Sequence, residues 1–173
     1  MIYKRVRKAL YALFMGLLLI NPAWANDPIL PNAVMTPGEI DTSATLEKVC
    51  TSGYSASVRN VPQSKKDHVY ELYGITPVPN MYEVDHLISL QLGGTNSMRN
   101  LWPQAYFGEP WNARVKDDLE NVLRRMVCDG KIPLNVAQNA IATNWIVAYC
   151  TYNNKKPGSC NDYMNSHEYE KEK

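Results

Sequence analysis

The residues best able to do chemistry in this chain lie together between Tyr82 and Gln104, in the stretch YEVDHLISLQLGGTNSMRNLWPQ. Asp85 abuts His86, one of only three histidines, within an apolar run, and Gly93-Gly94 and Asn100-Leu101-Trp102 follow. A carboxylate is a hard oxygen ligand for a divalent ion. An imidazole of unperturbed pKa about 6.5 is largely neutral near pH 7 and can take a proton from water. The bland alternative is a polar step on a wet strand face, and for a bare Asp-His it would be the better reading. Neighbours in a regular strand also point to opposite faces, so the two share one site only if the backbone twists or bulges there.

Several elements must position these residues. Met81 to Leu92 alternates well enough for a strand, Gly93-Gly94 supplies a turn that tolerates positive φ, and Asn100-Leu101-Trp102 pairs back as a short second strand that Pro103 stops. Pro110 suits a first helical position, and Trp111, Val115, Leu119, Val122 and Met126 recur at spacings of four and three until Asp129-Gly130. The order is strand, loop, strand, helix. Asn135 with Gln138 can cap a further helix, whose Ala137, Ile141, Trp145 and Ala148-Tyr149 make a second apolar stripe. Upstream, a short helix fits Ser43 to Cys50. Ser64-Lys65-Lys66-Asp67 resembles a capping box for a helix that runs to Tyr73 and stops at Gly74. Trp102, Trp111 and Trp145 read as core rather than as base-stacking platforms.

The first 25 residues stand apart. Lys4, Arg5, Arg7 and Lys8 precede an apolar run from Ala9 to Ile20, and Ala23-Trp24-Ala25 supplies an A-x-A cleavage site, the pattern of a secretory signal peptide. Cleavage near Ala25 predicts a secreted or periplasmic chain without stable membrane association. It also removes four of the 18 basic residues and none of the 17 acidic ones, leaving a net charge of 14 minus 17, or −3. A polyanionic partner would then be held by a local basic face or a metal rather than by the overall field. Residues 26–42, with three prolines and no period, read as a flexible leader, 43–160 as one domain, and 161–173 as a charged tail whose end, SHEYEKEK, is frayed with His167 solvent-facing. The four cysteines lack Cys-x-x-Cys spacing and suit an oxidising compartment. Of three connectivities, Cys50–Cys128 and Cys150–Cys160 are favoured, each contributing about 2 to 4 kcal/mol.

Asp85-His86, Gly93-Gly94, Asn96 and Asn100-Leu101 together resemble the site of the HNH endonucleases, the ββα-metal motif, with Asn100 fourteen residues after His86 as in that family. NLWPQ at Asn100–Gln104 and the W-x-A-x-x-K-D-x-L-E pattern from Trp111 to Glu120 resemble its exported or phage-type branch, as do GYSASVRNV and VYELYGI, so the likeness extends from about Cys50 to Tyr149. The resemblance implies a small, mostly helical, disulfide-stabilised α+β domain built around a ββα-metal motif. It implies that His86 is the general base for water, that Asp85 is a ligand for a divalent ion, Mg²⁺ being the expected one, and that Asn100 orients either the His86 ring or the loop backbone.

The third letter of that motif departs from the pattern, because counting eight or nine residues from Asn100 reaches Gly108 or Glu109. At about 100° per residue Asn112 lies about 60° from the centre of the apolar stripe and Glu109 about 120°, so Asn112 is the better metal-ligand candidate, with Glu109 second and neither as the third option. Arg59, Arg99 and Lys116 are the candidate phosphate contacts, among cations such as Lys65, Lys66 and Arg114 that are otherwise ordinary solvated surface. His68 reads as surface.

The expected function is an exported, monomeric endonuclease of low sequence specificity, acting on DNA, or on both DNA and RNA. Two rivals stand beside it. A non-catalytic nucleic-acid-binding module on a degenerate HNH scaffold would explain the irregular third letter. A structural protein of the cell envelope would explain export and disulfides alone.

Overall fold

The computed structural model describes residues 29–153 and 159–171, with side chains as far as 166. The signal-peptide reading and the side chain of His167 lie outside the described residues. The fold is α+β: helices surround one two-stranded antiparallel sheet, in the order α1 (Leu46–Cys50), α2 (Tyr54–Val58), α3 (Gln63–Tyr73), β1 (Tyr82–His86), β2 (Leu101–Ala105), α4 (Ala113–Cys128), α5 (Leu134–Tyr152) and α6 (Ser159–Lys171). Both disulfides form in the expected pairing, Cys50–Cys128 and Cys150–Cys160. Among the described residues no helix is long and apolar enough to cross a membrane.

The core lies between α4 and α5. Leu119, Leu123 and Val127 of α4 meet Ala137, Ile141, Trp145 and Ile146 of α5, all at most 1% exposed. Burying a side chain of this size contributes roughly 1.5–3 kcal/mol. Trp111 sits at the hub, its ring edge-on to Trp145, Tyr149 and Tyr163. The inward face of α4 is rotated from the one the apolar spacing suggests. Val122 and Met126 are only half-buried, whereas Lys116 and Glu120 are buried.

Helix starts differ from the expected caps. The α4 helix opens after Asn112, whose Oδ1 accepts from Val115 N at 3.2 Å, and Pro110 lies two residues ahead of that cap rather than at the first helical position. Ser64 and Asn135 fall inside α3 and α5, which follow Pro62 and Pro133. Within α5 the backbone leaves helical geometry at Asn144, whose Oδ1 accepts from Ile146 N and Val147 N and so restarts the second half.

The expected long strand is short, because β1 ends at His86 and the chain continues as a tight turn over Leu90–Leu92. The second strand instead runs through Pro103. Bonds from Leu87 N to Asn100 O and from Tyr106 N to Met81 O fix the phase of the ladder. By alternation Val84–Pro103 is then a non-bonded pair, so the missing N–H of Pro103 faces away from β1.

Residues 29–42 are not a loose leader but a strap. The Trp145 indole donates to Ile29 O at 2.8 Å, Thr36 is fully buried and donates to Leu101 O at 2.9 Å, and Gly38 N donates to Arg99 O at 3.0 Å. Ile40 bridges Gly94, and Asp41 N donates to Gly93 O at 2.8 Å. The loop carbonyls buried beside the sheet need partners, and this segment supplies them. The tail also differs from expectation: α6 is tethered by Cys160 and packs Tyr163 and Met164 against the core.

Candidate functional site

His86 ends β1 with its ring buried at 2% exposure. Its Nε2 lies 3.1 Å from Asn96 Oδ1. The Asn96 amide is oriented independently, since its Nδ2 donates to Val58 O at 2.8 Å and its Oδ1 also accepts from Asn60 N at 3.1 Å. An acceptor therefore faces Nε2, so the neutral ring carries its proton there and its lone pair on Nδ1. Burial is the largest influence on the ring and pushes its pKa below the ordinary value. The Asn96 bond and the Asp85 charge pull upward, and Arg59 and Lys116 push downward. The net direction favours the neutral imidazole, whose lone pair then sits on Nδ1.

Asn100 acts on the loop backbone, the second of the two roles expected for it. Fully buried, it accepts from Ile88 N at 2.9 Å and donates to Ile88 O at 3.0 Å and Thr95 O at 2.8 Å. The two glycines serve this closure differently. Gly93 takes a φ of +80°, whereas Gly94 leaves room, because a Cβ there would lie 1.8 Å from Ile88 O. Asn100→Ala would strand three buried backbone groups and is expected to destabilise the fold by about 3 kcal/mol in urea denaturation. A loss under about 1 kcal/mol would mean that the loop finds other partners.

Asp85 goes elsewhere. The ladder is regular through Asp85↔Trp102 and His86↔Leu101, so no bulge brings the acid and the imidazole to one face and they alternate across the strand. Asp85 Oδ2 lies 2.6 Å from Lys116 Nζ, which also donates to His86 O at 2.8 Å and to Glu120 Oε1 at 2.5 Å. Ser89 Oγ completes the cluster by donating to Glu120 Oε2 at 2.6 Å. Burial alone would lower the Lys116 pKa, but Asp85 and Glu120 outweigh it and hold the ammonium charged. Burial pushes Glu120 up against the opposing pull of Lys116. Lys116 is therefore not a phosphate contact: it is 0% exposed, with its three donors used internally.

The other expected ligands are also engaged or apart. Asn112 Oδ1 caps α4 and its Nδ2 donates to Gly108 O at 3.0 Å, while Glu109 is exposed on the preceding loop. Glu83 lies on the same strand face as Asp85, its pKa raised by burial and then by the Asp85 charge. Its Oε1 is buried without a partner, as are both side-chain amide atoms of Gln104 and the Trp102 indole nitrogen across the register. Two of those four atoms are N–H donors, which repel a cation. Among the described residues no group of three His, Cys, Asp or Glu is placed to hold a metal ion. Asp85 with Asn112 or Glu109 thus does not fit Mg²⁺ as a ligand set.

Of the expected phosphate contacts, Arg59 is exposed and sits between the two residues that Asn96 binds, beside His86. Lys65 Nζ joins the same loop by donating to Asn96 O at 2.8 Å. Arg99 is exposed on that loop in a weak pair with Glu39 at 3.7 Å. His68 is exposed beside Glu71, as expected of a surface residue. Sequence reasoning assigned no role to Asn96, Ser89 or Glu120, although the i, i+4 spacing of Lys116 and Glu120 is a signal for their pairing. No family model matches the chain, and neither a curated protein nor a solved structure matches it.

Proposed function

We propose that the chain is an exported endonuclease of the HNH type, hydrolysing phosphodiester bonds of DNA, and of RNA as a further substrate, with low sequence specificity. One observation carries the reading. A buried histidine at a strand end has its Nε2 held by Asn96, which leaves the lone pair on Nδ1, and the exposed Arg59 is near enough to act on the ring by its charge. The DH…GG…NLWPQ resemblance and the strand, loop, strand, helix order support it. The two disulfides and the basic-apolar N-terminal sequence support export.

In this reading His86 Nδ1 takes a proton from water as the oxygen attacks phosphorus, and the P–O3′ bond breaks, the departing 3′ oxygen taking a proton from solvent, to leave 3′-hydroxyl and 5′-phosphate ends. Arg59 supplies positive charge to the phosphate oxygens. The Lys116–Asp85 pair favours a second reading, a nucleic-acid-binding module without cleavage, because it occupies the carboxylate a metal would use.

The test is degradation of plasmid DNA and of structured RNA by the oxidised mature chain, with Mg²⁺ and with chelator, beside a gel-shift measurement. Nicking and then linearisation of the plasmid is expected in at least one condition. Retention without cleavage would move the assignment to the binding module, and neither binding nor cleavage would sink both readings.

A further inference from the structure

We propose that Asn96 is the positioning residue of this site: it selects the His86 tautomer that presents Nδ1 and ties the ring, through Nε2, to the Val58–Asn60 turn, so that the base and the Arg59 guanidinium address one phosphate. The inference rests on the hydrolase reading and names the residue that would make His86 competent.

The geometry is closed on every side of the amide. Val58 O accepts from Asn96 Nδ2, and Asn60 N and His86 Nε2 both converge on Oδ1. A flipped amide would set its NH₂ against the Asn60 N–H and its oxygen against the Val58 carbonyl, so both neighbours oppose reversal. The backbone of Asn96 is fixed as well, because Lys65 Nζ holds its carbonyl and Asn100 Nδ2 holds that of Thr95. Residues on both sides of Arg59 are therefore bonded to the residue that holds the catalytic ring. A change at Asn96 would move base and phosphate contact together.

A neutral amide also suits the task better than the carboxylate that commonly orients a histidine. It fixes the tautomer as an acceptor without adding a negative charge that would favour the imidazolium. The charged groups acting on the ring are Asp85 from its own strand, Arg59 from the turn and Lys116 from α4. Exchanging Asn96 for aspartate would add a fourth charge, in direct contact with Nε2.

The experiment is nitrogen NMR on the full mature chain labelled at histidine, with the His86 signal assigned by its loss in His86→Ala. The wild type is expected to show the Nε2–H tautomer. Asn96→Ala is expected to mix the tautomers and lower kcat/KM about tenfold. In Asn96→Asp the His86 titration and the acid limb of the pH–rate profile are expected to move up together by about one pH unit. An Nδ1–H ring in the wild type, or a His86 titration unmoved in Asn96→Asp, would overturn the proposal; both are readable even where Asn96→Ala does not fold. The ring is observed without substrate. A chain with the expected tautomer and Asn96 dependence that cuts nothing would therefore sink the hydrolase reading and leave the positioning role standing.

Discussion

Replacing His86 with alanine is expected to lower cleavage by about 10²- to 10⁴-fold, the usual range for loss of a general base, while the chain stays folded. The ring packs at a strand end and its one side-chain bond goes to Asn96, so its removal leaves the ladder intact. The wild-type pH profile should carry the same signature. Because burial lowers the folded pKa of His86 below about 6.5, the ring is still neutral, and the base still competent, somewhat below that pH. The acid limb of kcat/KM should accordingly fall at a lower pH than an exposed histidine would give. The sign for stability follows. A folded pKa depressed below the unfolded value means stability that is present above about pH 6.5 and lost as pH falls toward the folded pKa. Cleavage by His86→Ala at near wild-type rate, or an acid limb at or above the ordinary value, would remove His86 from the mechanism.

The second large effect belongs to Lys116. Lys116→Met is expected to cost about 3–5 kcal/mol in urea denaturation, because it leaves Asp85 and Glu120 facing each other without their shared cation. Their side chains are only 15% and 8% exposed, so water can do little to replace it. The deficit should depend on pH in a defined direction. Without Lys116 the Glu120 carboxyl, already pushed up by burial, rises further above its unfolded value. An acid raised in the folded state gives stability that is present below its unfolded pKa and lost as pH rises through the folded one. The mutant should thus recover toward wild type in acid, and the double variant Lys116→Met with Glu120→Gln should lose less than the single at pH 7. A loss under about 1 kcal/mol, or a deficit that grows in acid, would show that Lys116 is not the counter-ion of this cluster.

Lys116 also marks where the sequence stops being legible. Apolar periodicity locates α4 correctly but cannot count a lysine and a glutamate as inward residues, so the predicted stripe is turned toward Val122 and Met126. The surface role expected of Lys116 failed for the same reason. Cation spacing says nothing about burial, and only packing against Asp85 and the His86 carbonyl reveals it. Asn112 illustrates a competition within one residue type: the side chain able to ligate a metal is equally able to cap a helix, and the local N–H of Val115 wins.

The loop reads better. Gly93-Gly94 was readable as a turn that tolerates positive φ, and the hold of Asn100 on the loop backbone is one of the two roles the resemblance implied, whereas the approach of Gly94 to Ile88 O, which leaves no room for a Cβ, shows only in the packing. The α+β class and both disulfide pairings also agree with expectation. The strap over 29–42 was not. Its prolines and lack of period describe its own backbone, while what fixes it is the need of carbonyls at Gly93, Arg99 and Leu101, far away in sequence.

The placement of Pro103 has a consequence beyond the site. A ribbon of two strands has two open flanks, each able to template the addition of a strand from another copy, a hazard most acute while the chain is still folding. On one flank the His86 carbonyl is taken by Lys116. On the other, the Leu101 carbonyl is taken by Thr36, and Pro103 offers no hydrogen to an incoming backbone. The contacts that seat the His86 strand thereby also deny it to a neighbour, so loosening the strap or the buried lysine would invite polymerisation as well as unfolding.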